Sequence, residues 1–242
     1  ENVICFGDST GKAISNVQGG QFPYIYAWDN GDSTQINSNL WAGWQGVTFT
    51  DANNCTLRDS IEIINVNPEI QGFVSILQNV SCFNGCDGIA QLSSTGGVLQ
   101  HNYFWDNGQT YFGSGPDTAY NLCYGGHDII IEDMEGCRKI VEFTINQPTE
   151  IFAQATMVQP VQCFGFDDGM AYGTATGGTP PYTYVWDSIN GQSGQNAINL
   201  TPGVHVLYVT DSKGCTAQDT VVITEPAELI VSIDDTMTVY SY

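Results

Sequence analysis

The sequence predicts an all-β protein made of three tandem β-sandwich modules of immunoglobulin-like shape. Three observations lead to this prediction: a motif that occurs three times, short segments in which apolar and polar residues alternate, and frequent Gly, Asn, Asp and Pro between these segments. No stretch combines a long 3.6-residue apolar period with capping residues, which a helix would need. We expect the modules to follow one another in an elongated array.

The repeated motif opens on a Cys-Phe pair and closes on a second cysteine. The opening pairs stand 77 and 81 residues apart, and Gly, Ala, a Gly pair and Trp-Asp follow each at fixed offsets. The opening cysteines are Cys5, Cys82 and Cys163, and the closing cysteines are Cys55, Cys137 and Cys215. Repetition over this length indicates three copies of one folding unit.

A proline after each closing cysteine sets the predicted module boundaries. These prolines are Pro68, Pro148 and Pro226. We predict modules at 1–68, 69–148 and 149–227, and we interpret 228–242 as the lead segment of a following module. No signal peptide precedes the first repeat, so the chain is expected to be an internal piece of a larger exported protein.

Each module is predicted to hold six or seven short strands. Trp-Asp-Asn-Gly at 28–31 and 105–108 predicts hairpins, because Asn-Gly accepts a positive φ at both turn positions. In the third module, Tyr182, Tyr184 and Trp186 alternate onto one face, and 204–211 and 220–226 continue the strand pattern. The recurring Trp and Tyr residues are predicted to lie in the core, the alternative being a ligand platform.

Charge and composition exclude several classes of function. The chain has 242 residues, with 26 acidic against 5 basic side chains and a formal net charge of -21. Such a surface repels phosphate groups, which excludes nucleic-acid binding. The sequence has no apolar run of 18 residues, so this segment is not expected to insert into a membrane. Its 42% hydrophobic residues are enough to build cores.

The eight cysteines predict disulfides and an oxidising compartment. A module of about 75 residues buries too little surface for a strong core, and one long-range link would add roughly 4 kcal/mol. We predict one link within each module: Cys5–Cys55, Cys82–Cys137 and Cys163–Cys215. The two extra cysteines of the second module, Cys86 and Cys123, then pair by elimination. Free thiols or a zinc site are the alternatives.

Catalysis has little support in the sequence, and the chain is not expected to be an enzyme. The three histidines, His101, His127 and His205, show no spacing typical of a metal site. The motifs of nucleophile elbows, phosphate loops and zinc proteases are missing as well.

Calcium is the one cofactor that the acidic residues suggest. Each module offers Asp near its first Gly, after its Trp and before its last Cys, and Ca²⁺ takes carboxylates from loops. The candidate ligands are Asp8, Asp29, Asp51, Asp87, Asp106, Asp133, Asp168, Asp187 and Asp211. In the alternative, these side chains cap backbone turns. An unchanged melting temperature in EDTA would reject calcium.

Ligand binding is expected at residues that differ between the modules, because the shared residues specify the fold. Trp41 and Trp44 flank a Gly turn in the first module and are suited to stacking on sugar rings. Alternatively, they bury against the second module. Tyr111 and Phe112 form a second candidate patch.

The motifs of the third repeat resemble the SprB repeat found in very large surface adhesins of gliding Bacteroidetes. The resemblance rests on Cys-Phe-Gly at 163–165, Gly-Gly-Thr-Pro-Pro-Tyr-Thr-Tyr at 177–184, Val-Thr-Asp at 209–211 and Ile-Thr-Glu-Pro at 223–226. It covers nearly the whole chain as three copies.

The resemblance implies a filamentous adhesin, exported by the type IX secretion system across the outer membrane to the cell surface. Other parts of the full-length protein would contact the secretion apparatus and the gliding machinery, while the adhesin holds polysaccharide or a solid surface. The alternative is a substrate-binding accessory module of a secreted hydrolase.

Overall fold

The computed structural model describes residues 1–113, 115–187 and 191–232, and these residues form strands but no helix. The first repeat contains β1 (Gly11–Ile14), β2 (Ile25–Trp28), β3 (Ile36–Leu40), β4 (Gly43–Thr50) and β5 (Thr56–Ile63). The second contains β6 (Gln71–Gln78), β7 (Gly88–Thr95), β8 (His101–Trp105), β9 (Thr110–Gly113), β10 (Asp117–Leu122), β11 (Gly125–Glu132) and β12 (Arg138–Ile145). The third contains β13 (Phe152–Gln159), β14 (Gly169–Thr176), β15 (Thr183–Trp186), β16 (Asn196–Leu200), β17 (Gly203–Thr210) and β18 (Thr216–Ile223).

The strands of every repeat pair into two antiparallel sheets. Their orders are β1-β3 and β2-β4-β5 in the first repeat, β10-β7-β6 and β12-β11-β8-β9 in the second, and β13-β14-β16 and β15-β17-β18 in the third. This is the arrangement of an immunoglobulin-like sandwich, and the predicted fold class is confirmed. The repeats differ at one edge: β6 and β13 pair with β7 and β14, whereas β1 pairs only with β3 among the described residues.

The chain forms two compact units. One comprises Glu1–Asn79 and Cys86–Ile145, and the other comprises Val80–Gly85 and Asn146–Tyr242. The strands of the first two repeats lie in the first unit, and those of the third repeat lie in the second. Residues 233–242 of the predicted lead segment lie outside the described residues. The four predicted boundaries stay a prediction.

A buried tryptophan stands at the centre of each sandwich. Trp28, Trp105 and Trp186 are only 5%, 3% and 1% exposed. Each indole N–H still has a partner: Trp28 donates to the carbonyl of Thr34, Trp105 to the carboxylate of Asp117, and Trp186 to the carbonyl of Gly194. Because burial would otherwise leave these donors unpaired, the bonds make the position compatible with tryptophan. The predicted core role is confirmed.

The hairpin predicted after Trp105 is formed by β8 and β9. The N–H of Trp105 donates to the carbonyl of Gln109, and Gly108 takes a φ of +87°. The same motif makes a tight turn at Trp28, but the chain then crosses to β3 in the other sheet. The hairpin predicted there is therefore wrong.

Two of the disulfides join different repeats, and the predicted links within each repeat are wrong. The structure pairs Cys5 with Cys137 and Cys82 with Cys215, at Cα–Cα distances of 5.3 and 5.6 Å. Cys55 and Cys163 are free and exposed. The pair predicted by elimination, Cys86–Cys123, is confirmed. The rule is thus the opening cysteine of one repeat to the closing cysteine of the next.

Strand length explains why an opening cysteine cannot reach the closing cysteine of its own repeat. Cys55 comes directly before β5, whereas Val3 bridges Asn65 just beyond the other end of β5. Eight residues of antiparallel strand span about 27 Å, while a disulfide needs Cα atoms within about 7 Å. Cys5 therefore lies at the wrong end of the sandwich for Cys55. The N–H of Val161 reaches the carbonyl of Thr224, beyond β18, in the same way.

Each inter-repeat link closes a long loop. Sequence separations of 132 and 133 residues correspond to about 5 kcal/mol of stabilisation in the chain-entropy model. The two loops overlap between Cys82 and Cys137, so all three repeats belong to one cross-linked segment.

Candidate functional site

The aspartate before each closing cysteine joins two loops through backbone hydrogen bonds. Oδ1 of Asp211 accepts from the N–H groups of Lys213 and Cys215, at 2.8 and 2.9 Å, and Oδ2 accepts from that of Thr179 at 2.8 Å. Asp133 and Asp51 hold the corresponding three donors in their own repeats. For these three residues, the alternative of turn chemistry is confirmed.

The recurring Gly pair makes room for this carboxylate. Gly178 takes a φ of +57°, and a Cβ there would lie 2.6 Å from Oδ2 of Asp211. A larger residue would therefore be strained and would displace the carboxylate. The close packing explains why the sequence keeps glycine at this offset from the opening cysteine.

Backbone donors favour the charged form of these carboxylates. The N–H groups of Gln21 and Cys55 hold the pKa of Asp51 below its ordinary value of 3.8. Burial alone would raise the pKa of Asp211, but the N–H donors of Thr179, Cys215 and Lys213 outweigh it and lower the pKa. Both residues thus act as charged acceptors at neutral pH.

The aspartate after each tryptophan pairs with a basic side chain. His205 places Nδ1 2.7 Å from Asp187 and Nε2 2.8 Å from the carbonyl of Thr201. His127 makes the same pair of contacts, to Asp106 at 2.9 Å and to the carbonyl of Cys123 at 2.8 Å. Since both ring nitrogens face acceptors, the geometry favours the protonated imidazole.

The sequence analysis missed this pair, although its signal is present. Both histidines stand two residues after a recurring glycine, Gly125 or Gly203. In the first repeat Gln45 holds that position and donates to the carbonyl of Trp41, while Asp29 pairs with Arg58 at 2.7 Å. The hydrogen bond from Arg58 lowers the pKa of Asp29.

The His205 pair predicts that the third repeat loses stability as pH rises. Burial alone would lower the pKa of His205, but the hydrogen bond to Asp187 raises it above 6.5. The stabilisation is therefore complete below pH 6.5 and disappears as pH passes the raised pKa. We expect faster hydrogen exchange in the third repeat at pH 9 than at pH 6, after correction for intrinsic rates. His205→Gln, which copies Gln45 of the first repeat, should remove the difference; a variant that keeps it would contradict this role.

The remaining candidate calcium ligands lie in the loops after the opening cysteines. Oδ1 of Asp168 accepts from the N–H of Gln162 at 3.0 Å, and the carbonyl of Asp87 accepts from the side chain of Gln78 at 2.8 Å. The N–H of Asp8 donates to the carbonyl of Cys5. Across the described ranges, no three His, Cys, Asp or Glu side chains group so that they could hold a metal ion. Calcium binding stays a prediction.

The exposed aromatic side chains form two surfaces. Trp41 and Trp44 lie on either side of the turn between β3 and β4 and are 54% and 69% exposed, so their predicted alternative, burial against the second module, is wrong. Tyr111 stacks on Tyr103 with ring centroids 5.7 Å apart, which holds it partly in the sandwich. Phe112 is 68% exposed. The two tryptophans are therefore the better-presented pair.

Solved structures of similar fold include several tandem sandwich proteins. A C-terminal fragment of intimin, bound to the intimin-binding domain of its receptor, is 14% identical, with 64% of each chain covered and a TM-score of 0.33. The eight N-terminal Ig domains of Down syndrome cell adhesion molecule are 13% identical, with 94% of this chain and 36% of that chain covered and a TM-score of 0.40. *Bacteroides ovatus* SGBP-B with a mixed-linkage heptasaccharide is 9% identical, with 92% and 65% covered and a TM-score of 0.23.

These structures carry no functional conclusion at such identities and TM-scores, and this chain spans less than two thirds of the first two. No curated protein sequence matches the chain. The described residues include no helix that is long and apolar enough to cross a membrane. One family model matches three times, at residues 1–33, 74–110 and 155–191, and its description is the SprB repeat. The predicted resemblance is thereby confirmed: the chain carries three SprB repeats in tandem.

Proposed function

We propose that this chain is a non-catalytic repeat segment of a secreted cell-surface adhesin that serves gliding motility and attachment to polysaccharide or solid surfaces. The three SprB repeats support an adhesin-type repeat at the cell surface. Three disulfides fit an extracellular location, because such bonds persist in oxidising compartments. Export by the type IX secretion system and contact with the gliding machinery belong to the full-length protein in this proposal.

The covalent linking of successive repeats is the observation that carries the proposed spacer role. Cys5 is joined to the second repeat and Cys82 to the third. Between Cys5 and Cys215, load therefore passes through two parallel paths, from Cys5 to Cys82 and from Cys137 to Cys215, of 77 and 78 residues. A segment that is linked in this way resists extension even if its sandwiches open, which suits a tether under tension.

The proposed binding surface is the exposed pair Trp41 and Trp44. Flat aromatic side chains that present most of their area to solvent are suited to stacking on sugar rings, and tryptophan is enriched where binding energy concentrates. A net charge of -21 disfavours acidic glycans, so we expect neutral polysaccharides to be bound.

A glycan array on the 242-residue chain tests this surface. Trp41→Ala/Trp44→Ala should weaken binding to any neutral glycan captured by at least about tenfold. Phe73→Ala, which removes a similarly exposed aromatic side chain from β6, is the matched control and should bind normally. Failure of the natural chain to bind any glycan would reject the binding role and leave only the spacer.

A further inference from the structure

The first repeat has an open groove where the other two repeats hold a strand. β6 and β13 cover this edge in the second and third repeats by pairing with β7 and β14. In the first repeat, a groove of about 350 Å³ runs beside β1, between the two sheets. Its lining includes Ile14, Leu57, Asp59 and Ile61.

The side chains of this groove match those that a strand covers in the third repeat. Leu57 and Ile61 are 68% and 46% exposed. At the position of Ile61, the third repeat has Val221, which is 8% exposed. At the position of Asp59 it has Asp219, whose Oδ2 accepts from the N–H of Ala155 in β13 at 2.8 Å. The first repeat thus keeps both the apolar floor and the acceptor for a strand.

The Gly pair of the first repeat is also built for that strand. In the third repeat a Cβ on Gly177 would lie 1.8 Å from the carbonyl oxygen of Glu150, and the N–H of Gly178 donates to the carbonyl of Thr149 at 2.9 Å. The second repeat has the same approach at Gly96, at 1.9 Å. At Gly19, no atom lies within 4 Å of the corresponding point. The close approach that requires glycine is therefore unfilled only in the first repeat.

The end of the chain has the sequence of the missing strand. Ala-Glu-Leu-Ile-Val at 227–231 corresponds to Thr-Glu-Ile-Phe-Ala at 149–153, which leads into β13. Ile151 is 9% exposed in the core of the third repeat, whereas Leu229 is 90% exposed and Val231 is 76% exposed. An exposed apolar segment of this kind is suited to adding a strand to an open sheet edge.

We propose that a second copy of this chain fills the groove, so that copies join head to tail. The segment from Leu229 of one copy lies antiparallel to the β1 edge of the next, with Val231 opposite Val17 as Ala153 is opposite Ala175. Leu229 and Val231 point into the groove, and Ile230 points outward as Phe152 does. The N–H of Gly20 donates to the carbonyl of Ala227, as that of Gly178 does to Thr149. Such a heterologous contact propagates, because each copy keeps one groove and one donor segment free.

The two free cysteines fit the same joint. Cys82 reaches Cys215 in the repeat to which β13 belongs, so Cys163 of the donor copy would reach Cys55 of the acceptor. A small-molecule disulfide such as oxidised glutathione supplies the oxidant. The thiolate of Cys163 displaces one glutathione thiolate and forms a mixed disulfide; the thiolate of Cys55 then displaces the other. The two electrons and two protons end on two molecules of reduced glutathione.

Sedimentation of the natural chain over a range of concentrations tests the joint. We expect dimers and longer species, which oxidised glutathione converts into a ladder on non-reducing gels joined by Cys163–Cys55. Leu229→Asp/Val231→Asp should weaken association at least tenfold without lowering the melting temperature, because both residues are exposed within one copy. Ile230→Asp adds the same charge on the outward side and should associate normally.

Three results would overturn the proposal. They are a chain that stays monomeric at all concentrations, association that the double variant does not weaken, and a Cys163–Cys55 bond found within a monomer. Glycan binding is not involved in this association, so failure here leaves the function proposed above untouched.

Discussion

Reduction of the disulfides is expected to lengthen the stretched chain between Cys5 and Cys215 by about 460 Å. In the oxidised chain, the shorter of the two parallel paths, 77 residues, limits the extension to about 270 Å. In the reduced chain, all 210 residues between the two cysteines extend, to about 730 Å. Single-molecule pulling with and without a thiol reductant measures this difference.

A variant separates the inter-repeat links from other effects of the reductant. Cys5→Ser/Cys82→Ser leaves Cys86–Cys123 in place and should extend almost fully before reduction, less only the loop which that remaining disulfide closes. If the natural chain reached its full reduced length while still oxidised, the links between repeats would not exist under load, and the spacer role would lose its basis.

Asp211→Ala is expected to destabilise the third repeat by about 3 kcal/mol or more. The change leaves three backbone N–H groups without their charged acceptor, and hydrogen bonds to charged groups contribute roughly 1.5–3 kcal/mol each. The aspartate is 6% exposed, so water replaces the carboxylate poorly. Hydrogen exchange of peptides from β16 to β18 should accelerate by about a hundredfold or more.

Asp167→Ala is the control, because Asp167 is an exposed acid in the same repeat and should change exchange little. Peptides of the first repeat report any global effect. The lowered pKa of Asp211 also sets a direction with pH: its contribution is present above pH 3.8 and is lost as pH falls through the lower folded value. Exchange that is unchanged in the Ala variant would show that the carboxylate does not join the two loops.

The repeat offsets were enough to predict the strands and the core. Residues that recur at fixed offsets, such as Trp186 and Leu200, are buried because every copy needs them to close its sandwich. The carboxylate of Asp211 could also be assigned to a turn, since Asp followed by Gly-Cys is typical of one. What the offsets do not contain is which end of a sandwich each residue occupies.

That missing information explains the wrong disulfides. Cys5 and Cys55 frame one repeat in sequence, but β5 carries them to opposite ends of it. The His–Asp pairs were missed for a related reason: His127 and His205 were compared with metal motifs rather than with the repeat's own numbering. The open groove was hidden as well, because the segment that precedes an opening cysteine pairs with the strand after it, across the loop that contains the cysteine.

Peptide mapping of the oxidised 242-residue chain under non-reducing conditions tests the central claim, that successive repeats are covalently linked. We expect peptides that join Cys5 to Cys137, Cys82 to Cys215 and Cys86 to Cys123. Peptides that join Cys5 to Cys55 or Cys82 to Cys137 would contradict the claim, because each repeat would then be closed on itself and the parallel load paths would not form.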